Sequence, residues 1–199
     1  MRTMLVMTFA VATALGAMSA SAATATSGQA IATFAGGCFW CMEHDMGAIP
    51  GVISVESGYT GGRNENPSYE NHPGHFEAVR VRFDPKKVSY DALLDTYWHN
   101  VDFLDGGGQF CDRGTSYRPA IFVHDEAQKA AAEQSKTAAQ KDFPEPIVTE
   151  IVPLKAFYAA ESYHQNYYNL NKDRNPYCSV VITPKLQKLI QKGKLTEDQ

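Results

Sequence analysis

Residues 31–41 read IATFAGGCFWC, and this stretch sets how the fold begins. Residues 31–35 read as a short buried strand, and Gly36-Gly37 ends it. A helical pattern follows over residues 38–47 and stops before Pro50-Gly51, which does not continue a helix. The stretch therefore predicts a strand, a tight glycine turn and a helix, with a cysteine where the helix starts.

The rest of the chain alternates between strands and helices. Residues 76–83 alternate apolar and polar side chains, as a strand with one solvated face does. Helices are predicted after the capping residues Ser89 and Asp125. Two glycine-rich segments, residues 60–74 and 105–114, are predicted to be long loops, which are often functional. The other predicted elements are strands at residues 52–59, 119–123, 147–153 and 179–182 and a helix at residues 161–170.

This order of elements predicts an α+β fold. The pattern strand, helix, strand, strand, helix, strand, helix, strand is typical of a ferredoxin-like split βαβ arrangement, a two-layer α/β sandwich with a mixed sheet. The 199 residues contain no internal repeat and no linker. We therefore predict a single domain at residues 30–199.

The N-terminus has the layout of a secretory signal peptide. Arg2 is followed by the apolar stretch 5–18 and by a small-residue cleavage site at Ala20-x-Ala22. The apolar stretch is short for a membrane anchor. We predict a cleaved signal peptide at residues 1–22, a disordered leader at residues 23–29, and a location in the periplasm or outside the cell.

Composition argues against nucleic-acid and membrane partners. Apolar residues make up 44% of the chain and charged residues 20%, which is typical of a globular protein. The net charge is −4 and no block of lysine or arginine stands out, so the chain lacks the basic footprint of a nucleic-acid or lipid-surface binder. We expect no nucleic-acid ligand, no membrane contact after signal cleavage, and a monomer.

Cys38 is the first candidate for chemistry. It follows two glycines and opens a helix, whose free N–H groups and positive partial charge stabilise a thiolate and predict a lowered pKa. The alternative is an ordinary buried cysteine. Phe39 and Trp40 come next, and they are either an apolar pocket for a small ligand or core residues of the helix.

The cysteine count leaves a second set of alternatives. In an oxidising compartment four cysteines suggest two structural disulfides. Cys38 and Cys41 are only three residues apart, however, and such pairs more often carry redox chemistry or bind metal. His72 and His75 could add metal ligands, but the spacing lacks the pattern of structural zinc sites. We therefore expect no metal.

Five short segments stand in order along the chain. The first is Gly37-Cys38-Phe39-Trp40 with Glu43 close behind. The other four segments are GYTGG at residues 58–62 with NPSY at 66–69, GHFEAV at 74–79, DRGTSYR at 112–118 and YHQNY at 163–167. Together they resemble the A-type peptide methionine sulfoxide reductases, and the resemblance covers nearly all of residues 30–199.

This resemblance implies both a reaction and the residues that perform it. Cys38 would attack the sulfur of methionine S-sulfoxide, free or in oxidised proteins and peptides, and become a sulfenic acid. Glu77 would be the general acid, Tyr69 and Tyr117 would bind the sulfoxide oxygen, and Asp112 would hold polar groups. Phe39 and Trp40 would pack on the substrate methyl group. The reaction needs such a proton donor, because a sulfoxide is a poor electrophile until its oxygen is protonated.

The chain departs from the commonest family pattern at the resolving cysteine. Many members have glycine at the position of Cys41 and resolve with cysteines in a glycine-rich C-terminal tail. Cys41, one helical turn from Cys38, is the first candidate here, although the turn would have to loosen. Cys178 is the second, and Cys111 could pair with Cys178 as a relay or a structural bridge. A thioredoxin-like dithiol would reduce the resulting disulfide, and no bound cofactor is needed.

Three other functions fit parts of the sequence. Cys38-Phe39-Trp40-Cys41 has the spacing of an exported thiol–disulfide oxidoreductase, which would not need Tyr69, Glu77 or Tyr117. A Cys–His hydrolase would use His75 or His164 as its base. A disulfide-stapled secreted binding module would have two stable bridges and no catalysis.

Overall fold

The computed structural model describes residues 28–184 and 187. It contains eight strands, four α-helices and three shorter helical turns within this part of the chain. The strands are β1 (Ala30–Gly36), β2 (Val52–Thr60), β3 (Phe76–Phe83), β4 (Gly108–Gln109), β5 (Asp112–Arg113), β6 (Pro119–Val123), β7 (Glu150–Pro153) and β8 (Phe157–Ala159). The helices are α1 (Phe39–Gly47), α2 (Tyr90–Asn100), α3 (Glu126–Gln140) and α4 (Tyr167–Asn171). The turns are two 3-10 turns, Thr115–Tyr117 and Ser162–His164, and a π-helical turn, Cys178–Ile182.

Six strands form one mixed sheet in the order β7-β6-β1-β3-β2-β8. All neighbours are antiparallel except β6 and β7. Since β3 is antiparallel to both β1 and β2, those two strands run in the same direction with β3 between them, as the split βαβ connection requires. The predicted α+β fold with a mixed sheet is confirmed, and the finer ferredoxin-like description stays a prediction.

The main core lies between the sheet and its helices. Helix α1 packs on β2 and β3, α2 packs on β1, and α3 packs on β6 and β7. The side chains at this interface are fully buried, and they include Phe34, Val79, Val81, Leu93, Leu94 and Ile121. Such burial of large apolar side chains is the main driving force of folding.

The other face of the sheet carries a smaller apolar cluster. Ala35 and Phe76 belong to it, and the guanidinium of Arg118 lies 4.5 Å from the centre of the Phe76 ring. Residues 32–36 of β1 are therefore buried on both faces, which explains why this strand shows no alternation of apolar and charged side chains.

Both predicted helix caps are confirmed. The Ser89 side chain accepts a hydrogen bond from the backbone N–H of Ala92 at 3.1 Å, and the Asp125 side chain accepts one from Gln128 at 2.8 Å. Each cap satisfies an N–H group that has no partner inside its own helix.

The predictions for the C-terminal third were partly wrong. The strand predicted at residues 179–182 is a π-helical turn, and the strand predicted at 147–153 begins only at Glu150. The helix predicted at 161–170 is interrupted at Asn166, whose φ of 52° lies in the left-handed region. Strand β8, which pairs with the edge of β2, was not predicted. Short elements at a sheet edge depend on distant partners, so local patterns identify them poorly.

The signal peptide predicted at residues 1–22 and residues 23–27 of the predicted leader lie outside the described residues. Within residues 28–184, no helix is long and apolar enough to cross a membrane.

Candidate active site

Cys38 is the N-cap residue of α1, directly after Gly37. Gly37 has a φ of +90°, and a Cβ there would come within 2.6 Å of the Gln109 side chain, so only glycine fits. The Cys38 carbonyl accepts the first hydrogen bonds of the helix, from the N–H groups of Cys41 at 3.1 Å and Met42 at 3.3 Å. The predicted turn thus holds the thiol at the helix N-terminus, where it is 7% exposed.

Glu77 lies on β3 beneath the first turn of α1. One of its carboxyl oxygens, Oε2, accepts a hydrogen bond from the Phe39 N–H at 3.0 Å, and the residue is 1% exposed. Burial raises the pKa of Glu77 to about 8, the charge of Asp112 adds to the rise, and the Phe39 bond opposes it. Glu77 is therefore protonated at neutral pH, as a general acid must be.

The structure reverses the expectation for the Cys38 thiol. Burial is the largest effect and raises the pKa of Cys38 well above its ordinary value, and the hydrogen bond to Cys41 and the charges of Cys41 and Glu77 raise it further. The prediction of a lowered pKa was wrong for this unliganded state, because desolvation outweighs the helix N-terminus. The resting site holds a neutral thiol beside a neutral acid.

The predicted site residues come together around one cavity of about 220 Å³. Tyr69 arrives from the loop between β2 and β3, and Tyr117 from the 3-10 turn before β6. Burial raises the pKa of both phenols, and the charge of Glu77 adds to it, so both stay protonated and can donate hydrogen bonds. The cavity is lined by Cys38, Phe39, Trp40, Tyr69, Glu77, Asp112, Tyr117 and Tyr177.

Phe39 and Trp40 form the apolar wall of the cavity. Phe39 is 1% exposed, with its ring centre 6.4 Å from that of Tyr69. The Trp40 indole stacks on Tyr167 at 3.7 Å and donates its Nε1–H to Nδ1 of His164 at 3.0 Å. Both aromatic planes are thus fixed from behind, and a small apolar group can pack against them without reorganising the wall.

The late motif around residues 161–167 supports the site from outside. Glu161 accepts hydrogen bonds from the Tyr69 N–H at 2.9 Å and from the Tyr59 hydroxyl at 3.0 Å. Glu43 accepts the N–H of Asn166 at 2.8 Å. The sequence analysis assigned no role to Glu161, and because its partners are distant in sequence, no local pattern identifies it.

Tyr177 is the cavity residue that the sequence analysis missed. Its hydroxyl donates a hydrogen bond to Oδ2 of Asp112, and its ring lies edge-on to Trp40 with centres 6.1 Å apart. Tyr177 lies two residues before the segment 179–182 that was predicted to be a strand, and Cys178 was the side chain of this region that the sequence placed in the chemistry. The π-helical turn brings it there instead.

All four cysteines are reduced thiols in this structure. Cys41 is 5% exposed, Cys178 is fully buried and Cys111 is exposed. Burial raises the pKa of Cys178, and the charge of Cys41 adds to it, so the two thiols lie within electrostatic range of each other. Cys38, Cys41 and Cys178 belong to one buried cluster, whereas Cys111 lies on the surface of the hairpin between β4 and β5.

The candidate histidine bases are engaged elsewhere. Nε2 of His75 lies 3.0 Å from the Asn64 carbonyl oxygen, and Nδ1 of His164 accepts the Trp40 N–H. Each contact occupies one nitrogen of its ring, and neither histidine is among the residues that line the cavity containing Cys38, which weakens the hydrolase interpretation. Across residues 28–184, no three His, Cys, Asp or Glu side chains are grouped as metal ligands.

Known proteins of similar sequence belong to one enzyme family. Residues 30–198 match the family described as peptide methionine sulfoxide reductase. A relative from Caulobacter vibrioides, peptide methionine sulfoxide reductase MsrA 2, is 50% identical over 177 residues, covering 86% of this chain and 89% of the relative. MsrA from Ligilactobacillus salivarius is 54% identical over 149 residues, covering 72% of this chain and 87% of the relative.

Solved structures give the same result for the fold. Mxr1 from Saccharomyces cerevisiae in its reduced form aligns with a TM-score of 0.69 and 27% identity, covering 75% of this chain and 90% of that one. Methionine sulfoxide reductase A of Corynebacterium diphtheriae aligns with a TM-score of 0.68 and 28% identity, covering 77% and 80%. The chain therefore belongs to the peptide methionine sulfoxide reductase family, and it is an oxidoreductase of the MsrA type.

Proposed function

We propose that this enzyme reduces the S epimer of methionine sulfoxide, in proteins and peptides and as the free amino acid, with Cys38 as the nucleophile. One observation carries the proposal: a carboxylic acid that stays protonated at neutral pH lies beside a cysteine in a cavity with two phenols. A sulfoxide oxygen needs these donors before a thiol can attack sulfur. The S epimer follows from the family resemblance and not from the geometry.

The first step conserves atoms and protons within the site. Glu77 donates its proton to the sulfoxide oxygen while Cys38 attacks the substrate sulfur and passes its own proton to the Glu77 carboxylate. In the resulting adduct the new bond between the two sulfur atoms and the sulfur–oxygen bond of the substrate both break as the oxygen passes to Sγ of Cys38, so that methionine leaves and Cys38 becomes a sulfenic acid. Cys38 is thereby oxidised and the sulfoxide is reduced. Tyr69 and Tyr117 donate hydrogen bonds to the oxygen throughout, with Asp112 holding polar groups beside them.

Cys41 is the first candidate for the resolving cysteine. Cys38 is the N-cap and lies outside the helical part of the backbone, with ψ at 123°, while Cys41 is in the first turn. Interaction with the Cys41 thiol contributes to the raised pKa of Cys38, and the two thiols lie in the same buried cluster. Cys178, within electrostatic range of Cys41 and fully buried, is the second candidate.

The complete cycle needs an external reductant. We propose a thioredoxin-like dithiol, because a protein disulfide is reduced by exchange with a thiolate of lower potential. The sequence further supports export through residues 1–22 and action as a monomer in the periplasm or outside the cell. The enzyme would there repair oxidised methionine in exported proteins.

A single-turnover assay on the two epimers of a blocked methionine sulfoxide tests this function. The wild-type enzyme should release one methionine from the S epimer and none from the R epimer, without added reductant. Cys38→Ser should release none, and Cys111→Ser, which removes an exposed thiol outside the cavity, should match the wild type. Methionine release by Cys38→Ser would refute the proposal.

The role of Cys41 as the resolving cysteine is tested separately with Cys41→Ser. This variant should complete one turnover but fail to be recycled by a thioredoxin-like donor. Normal recycling would transfer the resolving role to Cys178, and Cys178→Ser would then lose it.

A thiol–disulfide oxidoreductase is the second candidate function. The observation in its favour is the Cys-x-x-Cys pair at a helix N-terminus. Disulfide exchange needs neither a buried acid nor two phenols, so the variants of Glu77 and Tyr69 should leave it intact. Insulin disulfide reduction that is unaffected by Glu77→Gln, together with no sulfoxide reduction by the wild type, would favour this alternative.

A further inference from the structure

A line of hydrogen-bonding groups leads from the two thiols to Asp112. Sγ of Cys41 lies 4.0 Å from the Tyr177 hydroxyl oxygen, within hydrogen-bond range for sulfur. The Tyr177 hydroxyl donates to Oδ2 of Asp112. A phenol has only one proton, and since Asp112 receives it, the Tyr177 oxygen is free to accept the S–H of Cys41. The Cys41 proton thus has a direct path to a carboxylate.

Bulk water is a poor alternative acceptor for this proton. Cys41 is 5% exposed, and the edge of the Tyr177 ring lies against Trp40. A buried thiol ionises reluctantly because its charged form loses hydration. An internal acceptor therefore matters most in the step in which Cys41 has to become a nucleophile.

We propose that Tyr177 carries the proton of Cys41 to Asp112 while Cys41 attacks the Cys38 sulfenic acid, so that Asp112 is the base of the resolving step and acts through Tyr177. This inference rests on the proposed function, because it requires the sulfenic acid. It assigns Tyr177 a second role besides lining the cavity.

The step balances in atoms and protons. Cys41 sulfur bonds to Cys38 sulfur, and the sulfur–oxygen bond of the sulfenic acid breaks. The Cys41 proton moves to the Tyr177 oxygen as the Tyr177 proton moves to Asp112. The departing hydroxide takes the Glu77 proton and leaves as water. No other oxidant or reductant is consumed, and solvent later restores both carboxyl groups.

Cys178 lacks a comparable arrangement. Its thiol is fully buried. Burial and the charge of Cys41 raise its pKa, and among the described residues no carboxylate contributes to that shift. The geometry therefore favours Cys41 over Cys178 for the attack on Cys38 and supplies a reason that the sequence spacing does not.

The test follows both steps in one single turnover of Tyr177→Phe. Methionine release reports the first step, and labelling of Cys38 by dimedone reports the lifetime of the sulfenic acid. We expect disulfide formation to slow at least tenfold and methionine release to slow by a much smaller factor. Tyr168→Phe is the matched control, because it removes a hydroxyl bonded to Thr183 at 2.8 Å in the same region. Both of its rates should match the wild type.

Alkaline rescue distinguishes proton transfer from a structural effect. The titratable groups that face Tyr177 are Cys38 and Cys41 from α1 and Asp112 from the hairpin. Raising the pH should narrow the difference in the rate of disulfide formation between Tyr177→Phe and the wild type measured at the same pH, because hydroxide then takes the Cys41 proton directly while loss of the Glu77 proton slows both enzymes alike. A sulfenic acid as short-lived in Tyr177→Phe as in the wild type, or no rescue, would overturn the inference. A wild type that releases no methionine would instead overturn the proposed function.

Discussion

The two halves of the active site are built differently. Cys38 and Glu77 belong to the junction of α1 with β3, and both are nearly inaccessible to solvent. Tyr69, Asp112 and Tyr117 come from loops and a short hairpin, and Tyr69 is 38% exposed. The buried half has its proton affinities set by desolvation, whereas the loop half supplies two neutral phenol donors and the carboxylate of Asp112, whose positions depend on hydrogen bonds. Burial thus sets the protonation states of the reacting groups, and in the proposed function the role of the loops is to orient the substrate.

Removing the buried acid should have the largest effect. Glu77→Gln should lower kcat/KM for sulfoxide reduction by about 10²–10³, because the amide cannot transfer a proton. In the wild type the rate should fall as pH rises through about 8, where Glu77 loses its proton. Steady-state assays from pH 6 to 10 check both expectations.

The matched control for this variant is Glu56→Gln. Glu56 is a surface carboxylate on β2 that pairs with Arg80 at 2.5 Å, and the substitution exchanges the same atoms. Its kcat/KM should match the wild type. An unchanged rate in Glu77→Gln would exclude Glu77 as the acid.

The two phenols should each contribute less than the acid and should partly replace one another. We expect Tyr69→Phe and Tyr117→Phe to lower kcat/KM by about 3–30-fold each, the loss of one hydrogen bond to developing charge. The double variant should lose more than either single variant. Single-turnover rates would measure this, and a double variant as active as the wild type would remove the phenols from the mechanism.

Loosening the loop half without touching the cavity should have a smaller effect. Glu161→Ala removes the acceptor of the Tyr69 N–H and of the Tyr59 hydroxyl, so we expect a loss of about 3–10-fold in kcat/KM. In the background of Tyr69→Phe the same change should cost less, because the misplaced phenol is already absent. Glu133→Ala, an exposed site on α3, is the control. If the losses in kcat/KM from Glu161→Ala and Tyr69→Phe were fully additive, Glu161 would not act by positioning Tyr69.

Burial of the Glu77 carboxyl group should also lower the free energy of unfolding at neutral pH. The pKa of Glu77 is about 8 in the folded protein against an ordinary 4.5. Between these values the folded state binds one proton more than the unfolded state, so the free energy of unfolding falls as pH rises through this window. The difference in free energy of unfolding between the wild type and Glu77→Gln should change by on the order of 2–4 kcal/mol from pH 4.5 to 8. Urea unfolding at several pH values would check this, and a constant difference would contradict the raised pKa.

Much of the site could be predicted because its residues lie in short ordered segments. Cys38, Phe39 and Trp40 follow one glycine turn, and Glu77 lies on a strand whose alternation is plain in the sequence. All seven residues predicted to act in catalysis or to bind the substrate line the same cavity. Tyr177 could not be predicted in this way, because a local apolar pattern does not distinguish a strand from a π-helical turn.

The sequence by itself determined the order of elements, the glycine turn that places Cys38 at a helix N-terminus, and the types of residue that the chemistry requires. Only the tertiary structure decided the protonation states. The helix N-terminus predicts a lowered pKa for Cys38, yet burial among residues distant in the chain raises it. Burial likewise holds the proton on Glu77, and the fold of the C-terminal segment brings Tyr177 to Cys41. Desolvation depends on what surrounds a group in space, which neighbours along the chain do not specify.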